Sequence, residues 1–395
     1  MGKTTVFALG AVGLGAALTA ASLVAPDRAN AAAPTYVPAG EHEVIARVPA
    51  RDPREVAERA QLAASPDRVE LAVELARADL ARARTLQDPR YLGRAQATLG
   101  RWWKLAEPPV DVLLLRATIE QSLHDFTAAR VDLDRLVARR PDDAQAQLVR
   151  ATVATVTGDY AAARTSCDAV ATRAPALVVA ACRAPLDGLA DPDAAYDQLA
   201  RVVAASRRVP AGVRGWALAT LAELAIQRGD EQTAATHLRG ALALDDGDAY
   251  ARAALADVLL ATGDARAASE LTAGFEQIDN LLVRRAIAEH RAHGADAAVL
   301  ARAMHDRIAA AAERGDRLHV REQAMFVLAV DGDARAALAL ATENWNVQEE
   351  LADARLLVAC AAAARDRAAA EPVLAWARAN HVVDARLRRA IEELP

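Results

Sequence analysis

The chain has 395 residues, 53% hydrophobic and 25% charged, a globular balance that excludes an intrinsically disordered polypeptide. Lys and Arg number 47 against 53 Asp and Glu, and the net charge of −6 argues against a nucleic-acid binder, which needs a basic face for phosphate contacts. Aromatic residues make up only 4%, and three cysteines (Cys167, Cys182, Cys360) exclude a disulfide-dense scaffold and a zinc site built from cysteine alone.

Residues 1–31 read as targeting rather than fold. Lys3 precedes an uncharged run from Thr4 to Ala25, and Ala29-Asn30-Ala31 supplies a small-x-small cleavage site. The expectation is a secretion signal peptide removed after Ala31, and hence a periplasmic or secreted protein. In the alternative the segment stays as an N-terminal membrane anchor, the chain's only expected membrane contact. Lys3-Thr4-Thr5 lacks the Gly-rich half of a phosphate loop. Residues 32–51 carry Pro34, Pro38 and Pro49 without periodicity, which predicts an extended linker. Asp52-Pro53 then opens a helix, with Asp as cap and Pro where no amide donor is needed. Ser65-Pro66 starts a second to about Leu86, and Asp88-Pro89 a third reaching Trp103.

From there a fixed period takes over. His124-Asp125-Phe126 leads to Ala129, Leu133, Leu136 and Pro141, while Gly158-Asp159-Tyr160 leads to Ala163, Cys167, Val170 and Pro175; every slot advances by 34 residues. Gly229-Asp230 with Ala234, Gly263-Asp264 with Ala268, and Gly332-Asp333 with Ala337 repeat the signature. The Gly-Asp step ends one helix with a residue tolerant of positive φ and caps the next, and the alanine lets the two helices approach. Clear units fall at 110–143, 144–177, 215–248, 249–282 and 318–351. The segments 178–214 and 283–317 keep a helical pattern without the turn; in them Asp191-Pro192 starts a second helix and Gly294 ends a first one.

Length alone predicts two or three domains, but the repeats predict one all-α array over 52–395, about nine antiparallel helix pairs stacked as an α-solenoid. The spacing and slots resemble the tetratricopeptide (TPR) repeat family, although Leu and Ala mostly replace that family's first-helix tryptophan and tyrosine. More narrowly, DPRYLGRAQATLGRWW (88–103) and NWNVQEELADARLL (344–357) look like flanking segments of a functionally uncharacterised group of exported bacterial TPR proteins.

The residues offer little chemistry. His290 and His293 could share a helix face, but they sit in a last turn, where cationic side chains complement the dipole. No nucleophile elbow or dinucleotide loop occurs. Asp245-Asp246 and Glu349-Glu350 fall at helix ends or turns and read as solvated charge. We therefore expect no catalytic residues, metal or cofactor. Cys167 and Cys182 lie at packing slots of successive helices, so they form either a disulfide, in an oxidising compartment, or two buried thiols.

The resemblance implies that the first helix of each pair lines a concave surface. Aligned by repeat, that surface takes Leu114, Thr118 and Gln121, then Leu148, Thr152 and Thr155, then Trp216, Thr220, Glu223 and Gln227, followed by Tyr250 and Asp257 and finally His319, Glu322 and Phe326. Trp216 and Tyr250 are the expected anchors, since aromatic side chains concentrate interface energy. With only Lys3 and Lys104, the chain lacks the basic clamp of chaperone-binding members. The expected function is an exported scaffold binding another protein or peptide of the cell envelope. The alternatives are a subunit needed only for complex assembly and an envelope hydrolase or glycan-active enzyme with a site across the groove.

Overall fold

The computed structural model describes residue 40 and residues 52–395, apart from 87, 172 and 315–319. The expected signal (1–31) and nearly all of the linker (32–51) lie outside the described residues. Among those described, all regular structure is helical, and no helix is long and apolar enough to cross a membrane.

Asp52 caps α1 (Pro53–Ala64), accepting from the Arg54 backbone N–H at 2.9 Å. α2 (Val69–Leu86) pairs with α3 (Arg90–Thr98), but the helix expected to run to Trp103 breaks at Leu99, ahead of the weak helix former Gly100, and resumes as the short α4 (Gly100–Trp103). The clear repeats are α5 (Val110–Ser122) with α6 (Phe126–Arg139), α7 (Ala144–Val156) with α8 (Tyr160–Ala169), α11 (Ala211–Arg228) with α12 (Glu231–Leu242), α13 (Ala249–Ala261) with α14 (Ala265–Thr272), and α17 (Val320–Phe326) with α18 (Ala334–Trp345). The degenerate segments form α9 (Ala176–Asp187) with α10 (Pro192–Ala205) and α15 (Asp279–Ala292) with α16 (Ala297–Arg314). α19 (Leu351–Ala363), α20 (Glu371–Ala379) and α21 (Ala385–Glu392) complete the chain. Each helix packs chiefly on its neighbours in sequence, as a solenoid requires.

The turn chemistry explains the pairs. Gly158, Gly229, Gly263 and Gly332 take φ of +74°, +79°, +85° and +71°, a region closed to most side chains. The aspartate after each accepts from the backbone N–H three residues on, at 3.1 Å for Asp159 and 3.0 Å for Asp230. In the first unit His124 adopts φ +60° in the glycine's place. At the end of α15 the left-handed residue is His293, at φ +51°, and not the expected Gly294, which follows it. The slot alanines Ala129, Ala163, Ala234, Ala268 and Ala337 are wholly buried. Gly263 and Gly332 are separated by one residue more than two 34-residue periods, and the α17 helix widens there into a π turn (Val327–Asp331) that takes up the extra residue.

The described residues form no central core. Small apolar side chains form a series of clusters between consecutive pairs. Cys167 of α8 and Cys182 of α9 are joined by a disulfide with Cα atoms 5.7 Å apart, tying one pair to the next, while Cys360 is a buried free thiol whose pKa burial raises to about 12.

The superhelix closes on itself, which the repeat pattern did not predict. The Glu349 N–H donates to Val156 O and the Val383 N–H to Leu189 O, both at 2.7 Å. Trp376 Nε1 donates to Tyr160 Oη at 3.0 Å, and Arg386 Nε donates to Glu231 at 2.8 Å. Leu189 is built into the C-terminal hydrophobic cluster beside Trp345 and Trp376, whose rings meet edge-on at 5.3 Å. The last helices thus rest on the turns that follow α7, α9 and α11.

Candidate functional site

Closure turns the concave face into a half-open chamber of about 510 Å³ with mainly apolar walls. Its floor is the inner helices α11, α13, α15, α17 and α19, and Tyr160, Leu189 and Trp376 shape its far wall. Small-molecule and peptide-segment sites commonly have this size and character.

Of the residues expected from the repeats, Trp216, Thr220, Glu223, Tyr250, Asp257 and Glu322 line the chamber, together with Thr155 and Gln227. Their chemistry differs. The Thr220 hydroxyl donates to Trp216 O at 3.0 Å, and Gln227 Nε2 donates to Gly188 O at 3.3 Å. Asp257 receives both ends of the Arg284 guanidinium, at 2.9 and 2.7 Å. Glu322 is buried, 3.8 Å from Arg284. Trp216, Glu223 and Tyr250 are half-buried, and their polar atoms are less fully paired. The Trp216 Nε1 donor is buried with no acceptor among the described residues, and the Tyr250 phenol reaches Glu223 only at 3.5 Å. Burial, with the nearby Glu223 and Glu350 carboxylates, pushes the Tyr250 phenol well above its ordinary value.

The other expected residues are placed elsewhere. Phe326 is fully buried, edge-on to His305 at 4.9 Å, and Leu148 is buried in the cluster around α8 and α9. Leu114 packs between α5, α6 and α7, and the hydroxyls of Thr118 and Thr152 donate to the carbonyls of Leu114 and Leu148, at 2.7 and 3.1 Å. Gln121, on α5, does not reach the chamber. The reasons are geometric: the chamber begins only at the end of α7, and large apolar side chains on the inner helices fill the grooves between neighbouring helices rather than the concave face. His319 lies outside the described residues.

Sequence reasoning missed the residues that close the site. Glu349-Glu350 is not simple solvated charge. Glu350 caps α19 and accepts from Arg321 at 2.6 Å, with its carboxyl raised by burial, and the Glu350 N–H donates to Asp353 at 3.2 Å. Asp245-Asp246 is exposed, as expected. Buried Arg–carboxylate pairs also recur between alternate helices: Arg284 with Asp257, Arg321 with Glu350 and Asp353, Arg355 with Asp384. Each spans 27 to 32 residues, short of the 34-residue period, so the period pointed to the neighbouring unit but not to these partners. Tyr160 and Trp376, far apart in sequence, carried none. Among the described residues no group of three or more His, Cys, Asp or Glu is placed to hold a metal.

The fold and its turn chemistry define a TPR-like helical-repeat solenoid. No protein-family profile matches the chain, and none of the curated proteins matches it. Among solved structures, the crystal structure of the P58(IPK) TPR domain is similar. It is 17% identical, and the match covers 82% of this chain and 97% of that one, with a TM-score of 0.23.

Proposed function

We propose that this chain is an exported scaffold that holds an extended segment of another cell-envelope protein in its concave chamber. The supporting observation is the convergence of Trp216, Tyr250 and Glu223, from two successive inner helices, on one half-open space with mainly apolar walls. Such a space admits a chain segment and excludes a folded domain. The Cys167–Cys182 disulfide favours an oxidising compartment, in keeping with a signal peptide cleaved after Ala31. The reading is tested by crosslinking in the envelope fraction, comparing the unmodified protein with a Trp216→Ala, Tyr250→Ala double variant. A stoichiometric protein partner should be captured by the former and lost with the latter, at unchanged far-UV circular dichroism. Equal capture by both would place binding outside the chamber and refute the reading.

A further inference from the structure

The charges in the chamber are unevenly satisfied. Four of its arginines are held by carboxylates of the chain itself: Arg284 by Asp257, Arg321 by Glu350 and Asp353, Arg355 by Asp384, and Arg386 by Glu231. A fifth, Arg291, is exposed and donates to Leu260 O at 3.3 Å. Apart from Arg291, these arginines therefore offer little to an anion, because a carboxylate or phosphate would have to displace an existing, partly desolvated pair.

Two carboxylates are in the opposite position. Glu349 makes no side-chain hydrogen bond or ion pair among the described residues; its carboxylate lies over Gly158, where an added Cβ would sit 2.4 Å from Oε2, and burial alone raises its carboxyl. Glu223 has only the Tyr250 hydroxyl at 3.5 Å and Arg355 Nη1 at 3.8 Å, and its side chain is 39% exposed. Aromatic residues adjoin both: Tyr250 beside Glu223, and Tyr160 beside Glu349 with its hydroxyl donating to the Glu349 carbonyl at 3.4 Å. Under-paired carboxylates among aromatic side chains in a mainly apolar space suit a cation carried on an apolar stem, through ion pairing and cation–π attraction.

We infer that the segment bound in the chamber is basic, with lysine or arginine side chains flanked by apolar residues that meet Glu223 and Glu349. This rests on the reading that the chamber holds a segment of a partner protein. The test is selection of a random dodecapeptide phage library on the full chain, followed by titration of the synthesised enriched peptides. Enriched peptides should share a basic position between apolar residues, and norleucine there should weaken binding at least tenfold. Glu223→Gln and Glu349→Gln should each weaken the basic peptide by a similar factor and leave the norleucine peptide unaffected. Should either variant lose its fold, the norleucine comparison on the unmodified chain decides. Enriched peptides without a basic position, or indifferent to norleucine, overturn the inference and leave the scaffold reading standing. Binding that persists when Trp216 and Tyr250 are both alanine places the peptides outside the chamber and overturns it too. No enrichment at all overturns the inference together with segment binding.

Discussion

At the scale of single residues, the arginine pairing that organises the chamber fails at one place outside it. Arg116 of α5 is committed to Asp132, at 2.7 Å from Nη2, and to the Trp103 and Leu105 carbonyls, which leaves Glu120 one turn away with Arg116 only at 3.9 Å. Glu120 Oε2 is buried with no partner among the described residues, and burial, reinforced by Asp132 and Asp125, raises the carboxyl from 4.5 to about 7. Between those two values the folded state keeps a proton that the unfolded chain has released. This group's contribution to stability therefore falls as pH rises from about 4.5 to about 7, and the cost stays in place above that. Glu120→Gln, a neutral group of the same shape, should remove the penalty. Thermal melts from pH 5 to pH 8 should show the variant gaining on the parent as pH rises, whereas parallel curves would mean that the carboxylate is hydrated in the folded state. None of this was legible in the sequence, where Glu120 is one acidic residue on an amphipathic helix.

At the scale of elements, sequence and structure agree closely because the determining interactions are local. A glycine at positive φ, an aspartate accepting from the amide three residues on, and an alanine where two helices touch all act within one turn of chain, so their spacing is written directly in the sequence. Where the pattern is interrupted, the cause is also local: a break before Gly100, a π turn absorbing one extra residue, a histidine in a glycine's place. The alanine slot gives a quantitative test. Ala163 of α8 is wholly buried, whereas Ala161 on the same helix is exposed. Ala163→Leu must force α7 and α8 apart and should cost about 1–3 kcal/mol. Ala161→Leu should leave the melting temperature nearly unchanged. Similar effects at the two positions would refute the assignment of close contact to the slot.

At the scale of the whole molecule, the period describes each unit and its neighbour and is silent about where the array ends up. Small rotations accumulate from pair to pair, and whether the last unit meets an earlier one depends on their sum. That is why the helix pairs and three of the five helices in the chamber's floor were legible, whereas the closure was not. Tyr160 and Trp376 form one hydrogen bond across 216 residues of chain, and Arg386 reaches Glu231 across 155. These side chains distinguish a closed ring from an open superhelix, since the two remaining backbone bonds, at Val156 and Leu189, need only that the surfaces stay in contact. Both partners of the Arg386–Glu231 pair are more than four-fifths covered, so removing Arg386 leaves Glu231 with only the more distant Arg389, at 3.6 Å. The double variant Trp376→Ala, Arg386→Ala should therefore release the C-terminal helices from the middle repeats while their neighbour-to-neighbour packing holds the individual pairs together. Small-angle scattering should then show a larger radius of gyration at nearly unchanged helical circular dichroism, and Trp216 should become more accessible to a soluble quencher. A radius of gyration equal to that of the parent would mean that the accumulated rotation of the repeats, not these contacts, holds the ring closed.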